Sequence, residues 1–358
     1  MSAGEGHGFV FVAGLHRSGT TLLARLLAAH PEISGFSGTG APADEGQHLQ
    51  SVYPCDYEYG SPGRFGFAPE MHLTESSALV SEENAERLLA EWSPHWDLSR
   101  RLLLEKSPPN LIKTRFLQAL FPNSTFIVVI RHPIPVSIPT AKWRGTRRYD
   151  RLLDHWLHCY GLFEADREQL DRVHVLTYEQ LVGDPAGVLE EVFAFLEVEP
   201  ILPSEPVETG ANEKYFRRWK ELKRDPQMRA YLDLVSLKYE HRVRSYGYSL
   251  LRPVPRKPLP AWALVSRPPS QHERSASFER RARGTSKPAA AAAALAIAAI
   301  VLAALVGGLS LNAHRHIRPT SARSRACERG SERTRVACGA HQREKTPSGG
   351  NRAHAAGI

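Results

Sequence analysis

Residues Gly14 to Thr21 read GLHRSGTT. Glycines at Gly14 and Gly19, with a hydroxyl at Thr21, have the spacing of a nucleotide-phosphate loop of the form G-x-x-x-x-G-K-S/T. The lysine of that pattern is replaced by Thr20, and a basic group stands three places upstream at Arg17. A glycine-flanked turn that opens a helix offers backbone N–H groups and the positive end of the helix dipole to an anion. Without the lysine it lacks the group that reaches the β- and γ-phosphates of a triphosphate. The loop is therefore expected to hold some other phosphate-like group.

Two further clusters follow apolar runs. RLLLEKSPPN places Lys106 at the end of one run, and STFIVVIRHP places Arg131 and His132 at the end of another. A hydrolytic P-loop enzyme would need a magnesium-binding Asp where Arg131 stands. A guanidinium there suits a second anion, because its planar fork matches a phosphate. The pattern thus calls for a ligand with two separate anionic groups.

The elements that must position these residues can be read from the same stretches. GFVFVAGL, RLLLEKS, STFIVVIR and VHVLTYE are short apolar runs without clean alternation, as expected of strands covered on both faces. TTLLARLLAAH, closed by Pro31, reads as a helix following the loop. NLIKTRFLQALF reads as a second helix with Asn110 as its N-cap, and DPAGVLEEVFAFLEV as a third, with Asp184 capping and Pro185 at the first turn. Strands alternating with helices predict an α/β domain with a mostly parallel central sheet, in a P-loop-like three-layer fold. Ligands of such sheets gather beyond the carboxyl ends of the strands. His16, Arg17 and Ser18, then Lys106, then Arg131 are expected to converge there.

Composition limits the alternatives. The chain has 358 residues and a formal charge of +8, but the charge is unevenly placed. Residues 1–251 carry 27 Lys and Arg against 33 Asp and Glu, a net of −6, and residues 252–358 carry 19 against 5, a net of +14. A nucleic-acid-binding N-terminal domain is not supported. Four scattered cysteines give neither a disulfide framework nor a C-x-x-C pair, and no histidine pair has zinc-ligand spacing, so no metal is expected. The apolar N-terminal run lacks a preceding basic region and is read as a strand, not a signal peptide.

The chain divides into a folded α/β domain over 1–251, a Pro-rich basic linker over 252–287, an apolar segment over 288–311 and a basic tail over 312–358 expected to be disordered. Residues 289–311 are 23 in a row without charge, long enough to cross a hydrocarbon core of about 30 Å. They are expected to form a single membrane span. Arginines on both flanks leave only a slight preference for a cytosolic catalytic domain.

GLHRSGTTLLARLLAAHPE, LEKSPPNLIKTRFLQALFPNSTFIVVIRHP and LTYEQLVGDP, in that order, resemble the sulfotransferases that use 3′-phosphoadenosine 5′-phosphosulfate (PAPS), especially the bacterial-type and tyrosylprotein-sulfotransferase-like members. The resemblance spans about residues 8–250. It implies that Arg17, Ser18, Gly19, Thr20 and Thr21 bind the 5′-phosphosulfate, that Arg131 binds the 3′-phosphate, and that no metal takes part. It also implies a hydroxyl-bearing acceptor, whether carbohydrate, tyrosyl peptide, lipid or small alcohol. Arg17 and Lys106 would then stabilise charge on the leaving phosphate.

The sequence departs from the family at two points. The serine eight residues after the 3′-phosphate arginine is replaced by Pro139, leaving Ser137, slightly preferred, or Thr140 to supply a hydroxyl. The base position found by counting from the HPE helix end is Gly38, so the acceptor's base is sought further on: Glu45 first, His48 second and Asp44 third. Tyr178 is expected near the adenine or as a packing residue, and Lys214, beside Asn212 and Tyr215, on a basic loop over the nucleotide or at a helix start. A P-loop kinase and a non-catalytic, membrane-anchored PAPS-binding protein remain as alternatives.

Overall fold

The structure, a computed structural model, describes residues 6–252. Five strands, β1 (Gly8–Gly14), β2 (Ile33–Gly35), β3 (Leu102–Lys106), β4 (Ser124–Ile130) and β5 (Val173–Thr177), form one sheet in the order β2-β3-β1-β4-β5. Every pairing is parallel. Strands buried on both faces explain why the four longer ones read as largely apolar runs without alternation. The three-residue β2 is too short to leave such a signal.

Nine helices surround the sheet among the described residues: α1 (Thr20–Ala28), α2 (Glu82–Trp92), α3 (Thr114–Leu120), α4 (Pro133–Trp143), α5 (Tyr149–Arg167), α6 (Tyr178–Gly183), α7 (Pro185–Leu196), α8 (Glu213–Leu222) and α9 (Pro226–Arg244). Alternate residues of β1 feed opposite layers. Phe9, Phe11 and Ala13 pack in a core with residues of α2, α3 and α5, whereas Val10 and Val12 pack with α1, α6 and α7. The three-layer α/β arrangement follows from that alternation.

Caps account for several helix starts. Asp184 accepts from the Gly187 N–H with Pro185 in the first turn, as its sequence predicts. Asn110 does not cap α3. It lies in a short 3-10 turn over Pro108–Ile112, and its amide donates to Glu105 Oε2, because the chain makes an extra turn after β3 before the helix begins at Thr114.

The linker, the apolar segment 289–311 expected to span a membrane, and the basic tail lie outside the described residues. Among the described residues no helix is long and apolar enough to cross a membrane.

Candidate functional site

The register of the sheet sets the site. Val12 of β1 lies opposite Lys106 of β3, and Gly14 opposite Val129 of β4, so the residues after β1, β3 and β4 emerge on one edge. Lys106, Arg17 and Arg131 are there together. The loop between β1 and α1 folds tightly, with the Ser18 N–H donating to the Leu15 carbonyl at 2.9 Å. Gly14 and Gly19 have φ of 151° and 99°, and a Cβ would lie 2.5 Å from the Val129 carbonyl oxygen at the first and 2.4 Å from the Tyr178 ring at the second. Arg17 itself has a left-handed φ of 69°. Helix α1 begins at Thr20 with no side-chain cap, so its first N–H groups open on the loop.

Arg131 is nearly enclosed. Its Nη1 donates to the Arg17 carbonyl at 2.7 Å, its Nε donates to Asn212 Oδ1 at 2.8 Å, and its guanidinium carbon stands 3.8 Å from the centre of the Tyr178 ring. Tyr178 is therefore the spacer between Gly19 of the loop and Arg131. Asn212 does not cap α8 with its side chain; its amide bridges Arg131 and Glu179 Oε1 instead.

On one side of the loop opens a cleft of about 940 Å³. Arg17, Lys142, Arg147, Lys214 and Arg218 line it with no acidic residue among its walls, and Pro139 faces it from α4. Arg17 lies 5.0 Å from the ring of the exposed Trp143 at its rim. On the other side a groove of about 550 Å³ begins at Thr21 and runs between α1 and β2, with Lys106 in its wall. Unlike the cleft, it is lined by acids as well as bases, Asp44 and Asp97 facing Arg25 and Arg100.

Lys106, in the wall of the groove, meets Glu45. Lys106 Nζ donates to Glu45 Oε1 at 3.1 Å and to the Ala43 carbonyl at 2.8 Å, and both side chains are buried. Glu45 Oε2 accepts from Gln47 Nε2 at 2.7 Å and lies 3.8 Å from His48 Nε2. Burial lowers the His48 pKa against the opposing pull of Glu45. A carboxylate, an ammonium and an imidazole thus flank one point at the strand ends.

The family assignment follows from comparison of the chain with known proteins. Residues 10–201, more than half of the chain and the part that carries every element above up to α7, match the family described as "Sulfotransferase family". The chain belongs to the sulfotransferase family. It is 25% identical over 197 residues to protein-tyrosine sulfotransferase 2 of Gallus gallus, covering 52% of this chain and 50% of the relative. It is 25% identical over 202 residues to protein-tyrosine sulfotransferase of Drosophila melanogaster, covering 53% and 38%. The chain spans about half the length, or less, of these curated relatives. Among solved structures, the sulfotransferase domain of a Synechococcus olefin synthase is 23% identical, with 53% of this chain and 73% of that one covered and a TM-score of 0.35.

Not every residue singled out from the sequence reaches the site. Ser18 turns its hydroxyl inward to within 3.4 Å of Tyr160 Oη, so its side chain braces the loop and does not line its mouth. Asp44 is drawn away from the pair, accepting from the Thr39 N–H at 2.8 Å and hydroxyl at 2.7 Å; those hydrogen bonds hold its carboxyl below the usual range. Ser137 is buried on the far face of α4 from the cationic cleft. Its hydroxyl has no partner and borders a cavity of about 10 Å³ shared with His16, whose Nδ1 is likewise unpartnered. Thr140 spends its hydroxyl on the Val136 carbonyl. Neither side chain stands where Pro139 faces the cleft. Lys214 is exposed on the cleft rim at the start of α8.

Several supporting residues have no motif to reveal them. Glu105, fully buried, accepts from the Gly46 N–H at 2.9 Å and fixes the turn that carries Glu45; burial raises its pKa to about 6. A Cβ on Gly46 would lie 2.5 Å from Glu105 Cγ. The one available signal is a charged residue inside the apolar run RLLLEKS. Asp56 lies 3.3 Å from His16 Nε2, and burial, reinforced by the charge of Glu45, raises its pKa to about 6. Among the described residues no group of three His, Cys, Asp or Glu is placed to hold a metal ion.

Proposed function

We propose that this chain transfers the sulfuryl group of PAPS to a hydroxyl acceptor. The observation that carries the reading is the link between two anion-binding elements: Arg131 is tied to the Arg17 carbonyl at 2.7 Å, beside a cleft with five cations and no acid in its walls. A donor with phosphate groups at both ends of an adenosine matches that charge distribution. In this reading the 5′-phosphosulfate sits on the N–H groups of Gly19, Thr20 and Thr21 with Arg17 over it. The 3′-phosphate lies toward Arg131 and Lys214.

The chemistry is an in-line displacement. The acceptor oxygen bonds to sulfur as the bond from sulfur to the bridging phosphate oxygen breaks, and the electron pair goes to adenosine 3′,5′-bisphosphate. The acceptor's proton passes to Glu45, with His48 beside it. Negative charge grows on the leaving phosphate, where Lys106, Arg17 and the start of α1 supply fixed positive charge. The acceptor enters along the groove that ends at Lys106, opposite the nucleotide cleft.

The test is transfer from PAPS labelled in its sulfuryl group, using the full chain and a panel of phenol, saccharide and alkyl alcohol acceptors. Labelled product that disappears in Arg17→Ala supports the reading. Binding of adenosine 3′,5′-bisphosphate with no transfer to any acceptor would favour a binding protein instead.

A further inference from the structure

We propose that Gln47 is a positioning residue for the reaction, holding the Glu45 carboxylate in its working orientation when Lys106 turns to the donor. The inference rests on the assignment of Glu45 as base and adds to it.

Glu45 has two buried donors, which differ in character. Lys106 reaches Oε1 at 3.1 Å from the end of a flexible four-carbon stem. Its ammonium is also the group expected to meet negative charge on the leaving phosphate. A contact that must serve the donor cannot also fix the base. Gln47 reaches Oε2 at the shorter distance of 2.7 Å and carries no charge, so it orients the carboxylate without neutralising it.

Gln47 is itself fixed at every polar group. Its N–H donates to Ser107 Oγ at 3.0 Å, its carbonyl accepts from Cys55 Sγ at 2.6 Å, and its Oε1 accepts from the Asp56 N–H at 3.1 Å. The last contact settles which way the amide faces: with the oxygen bound to a backbone donor, the NH₂ group must point at Glu45. The preceding Gly46 is held by Glu105 Oε1 through its N–H and by Trp92 Nε1 through its carbonyl. Gln47 is 1% exposed. A buried amide with all of these contacts satisfied is a rigid support, and small displacements of a catalytic group are costly in rate.

Two variants separate the donor role from simple packing. Gln47→Glu keeps an acceptor for the Asp56 N–H but sets a second carboxyl against Glu45 Oε2 in place of the amide donor, whereas Gln47→Met removes donor and acceptor without adding charge. The readout is the carboxyl ¹³C resonance of Glu45 in protein labelled at glutamate, assigned by its loss in Glu45→Gln, with adenosine 3′,5′-bisphosphate titrated in parallel. Both Gln47 variants are expected to broaden the Glu45 resonance, as the carboxylate loses its fixed orientation, while bisphosphate affinity stays within about twofold. Lys106→Met removes the partner of Oε1 and is expected to shift the resonance without broadening it, because Gln47 still fixes Oε2. With an acceptor in hand, kcat should fall roughly 10-fold or more with KM for PAPS unchanged. A wild-type linewidth in both Gln47 variants, or broadening by Lys106→Met alone, overturns the proposal. A wild-type protein that ignores the bisphosphate sinks the donor assignment instead, and the resonance comparison still decides whether Gln47 orders Glu45.

Discussion

Arg131 Nη1 donates to the carbonyl oxygen of Arg17 at 2.7 Å, joining the arginine after β4 to the loop after β1. The two cationic groups are thereby one mechanical unit, with Tyr178 packed between Arg131 and Gly19. Arg17→Ala keeps that carbonyl and removes the exposed guanidinium, so the loop should persist while its charge is lost. Transfer of labelled sulfate from PAPS is expected to fall by at least about 10²-fold, the scale of losing one preorganised charge at a reaction centre. Unchanged turnover would remove Arg17 from the site.

Glu45→Gln replaces the proposed base with a neutral isostere. Positioned acid–base catalysis contributes about 10²- to 10⁴-fold, so kcat should drop by 10² or more in steady-state assays. Bisphosphate affinity should not change, because the substitution lies on the acceptor side of Lys106. A normal rate would pass the role to His48 or to an acceptor that ionises by itself.

Pro139 and Ser137 make opposite predictions for the donor. Pro139 faces the cationic cleft, whereas the Ser137 hydroxyl faces the small cavity beside His16. Pro139→Ser adds a hydroxyl to the cleft wall and is expected to tighten adenosine 3′,5′-bisphosphate binding by roughly 3- to 10-fold, the worth of one ordinary hydrogen bond. Ser137→Ala should leave that affinity unchanged. Calorimetry on the two variants reads both, and the reverse ranking would place Ser137 on the phosphate.

The buried Asp56 sets a pH dependence on stability. Its pKa rises from 3.8 to about 6 on folding, so the folded state holds its proton more tightly than the unfolded chain. The stabilisation from this group is complete below about pH 4 and is lost as pH rises through about 6, amounting to on the order of 3 kcal/mol. Asp56→Asn lacks that titration. Urea unfolding between pH 4 and 7 should show wild type losing ground to the variant as pH increases; parallel curves would mean that Asp56 titrates normally.

Much of the fold was legible because burial on both faces writes β1, β3, β4 and β5 as apolar runs and the glycine loop marks the start of α1. Arg17, Lys106 and Arg131 could be placed on one edge from their positions after those runs. The sequence could not show which of Ser137 and Pro139 faces the cleft, since spacing along a helix gives relative angles but not which face is turned to it. Nor could it show Gln47, Glu105 and Asp56 assembled around Glu45, because they act through contacts between segments up to 60 residues apart. The misplaced cap at Asn110 has the same cause: its amide is drawn to Glu105, a partner in the preceding strand.

The central claim is that two linked anion sites grip the two ends of one adenosine bisphosphate. The most direct measurement is calorimetric titration of the full chain with adenosine 3′,5′-bisphosphate, alongside adenosine 5′-monophosphate. Binding of one bisphosphate per chain, with marked weakening when the 3′-phosphate is absent and again in Arg131→Ala, is the predicted result. Equal affinity for the two nucleotides, or no heat from either, would contradict the account.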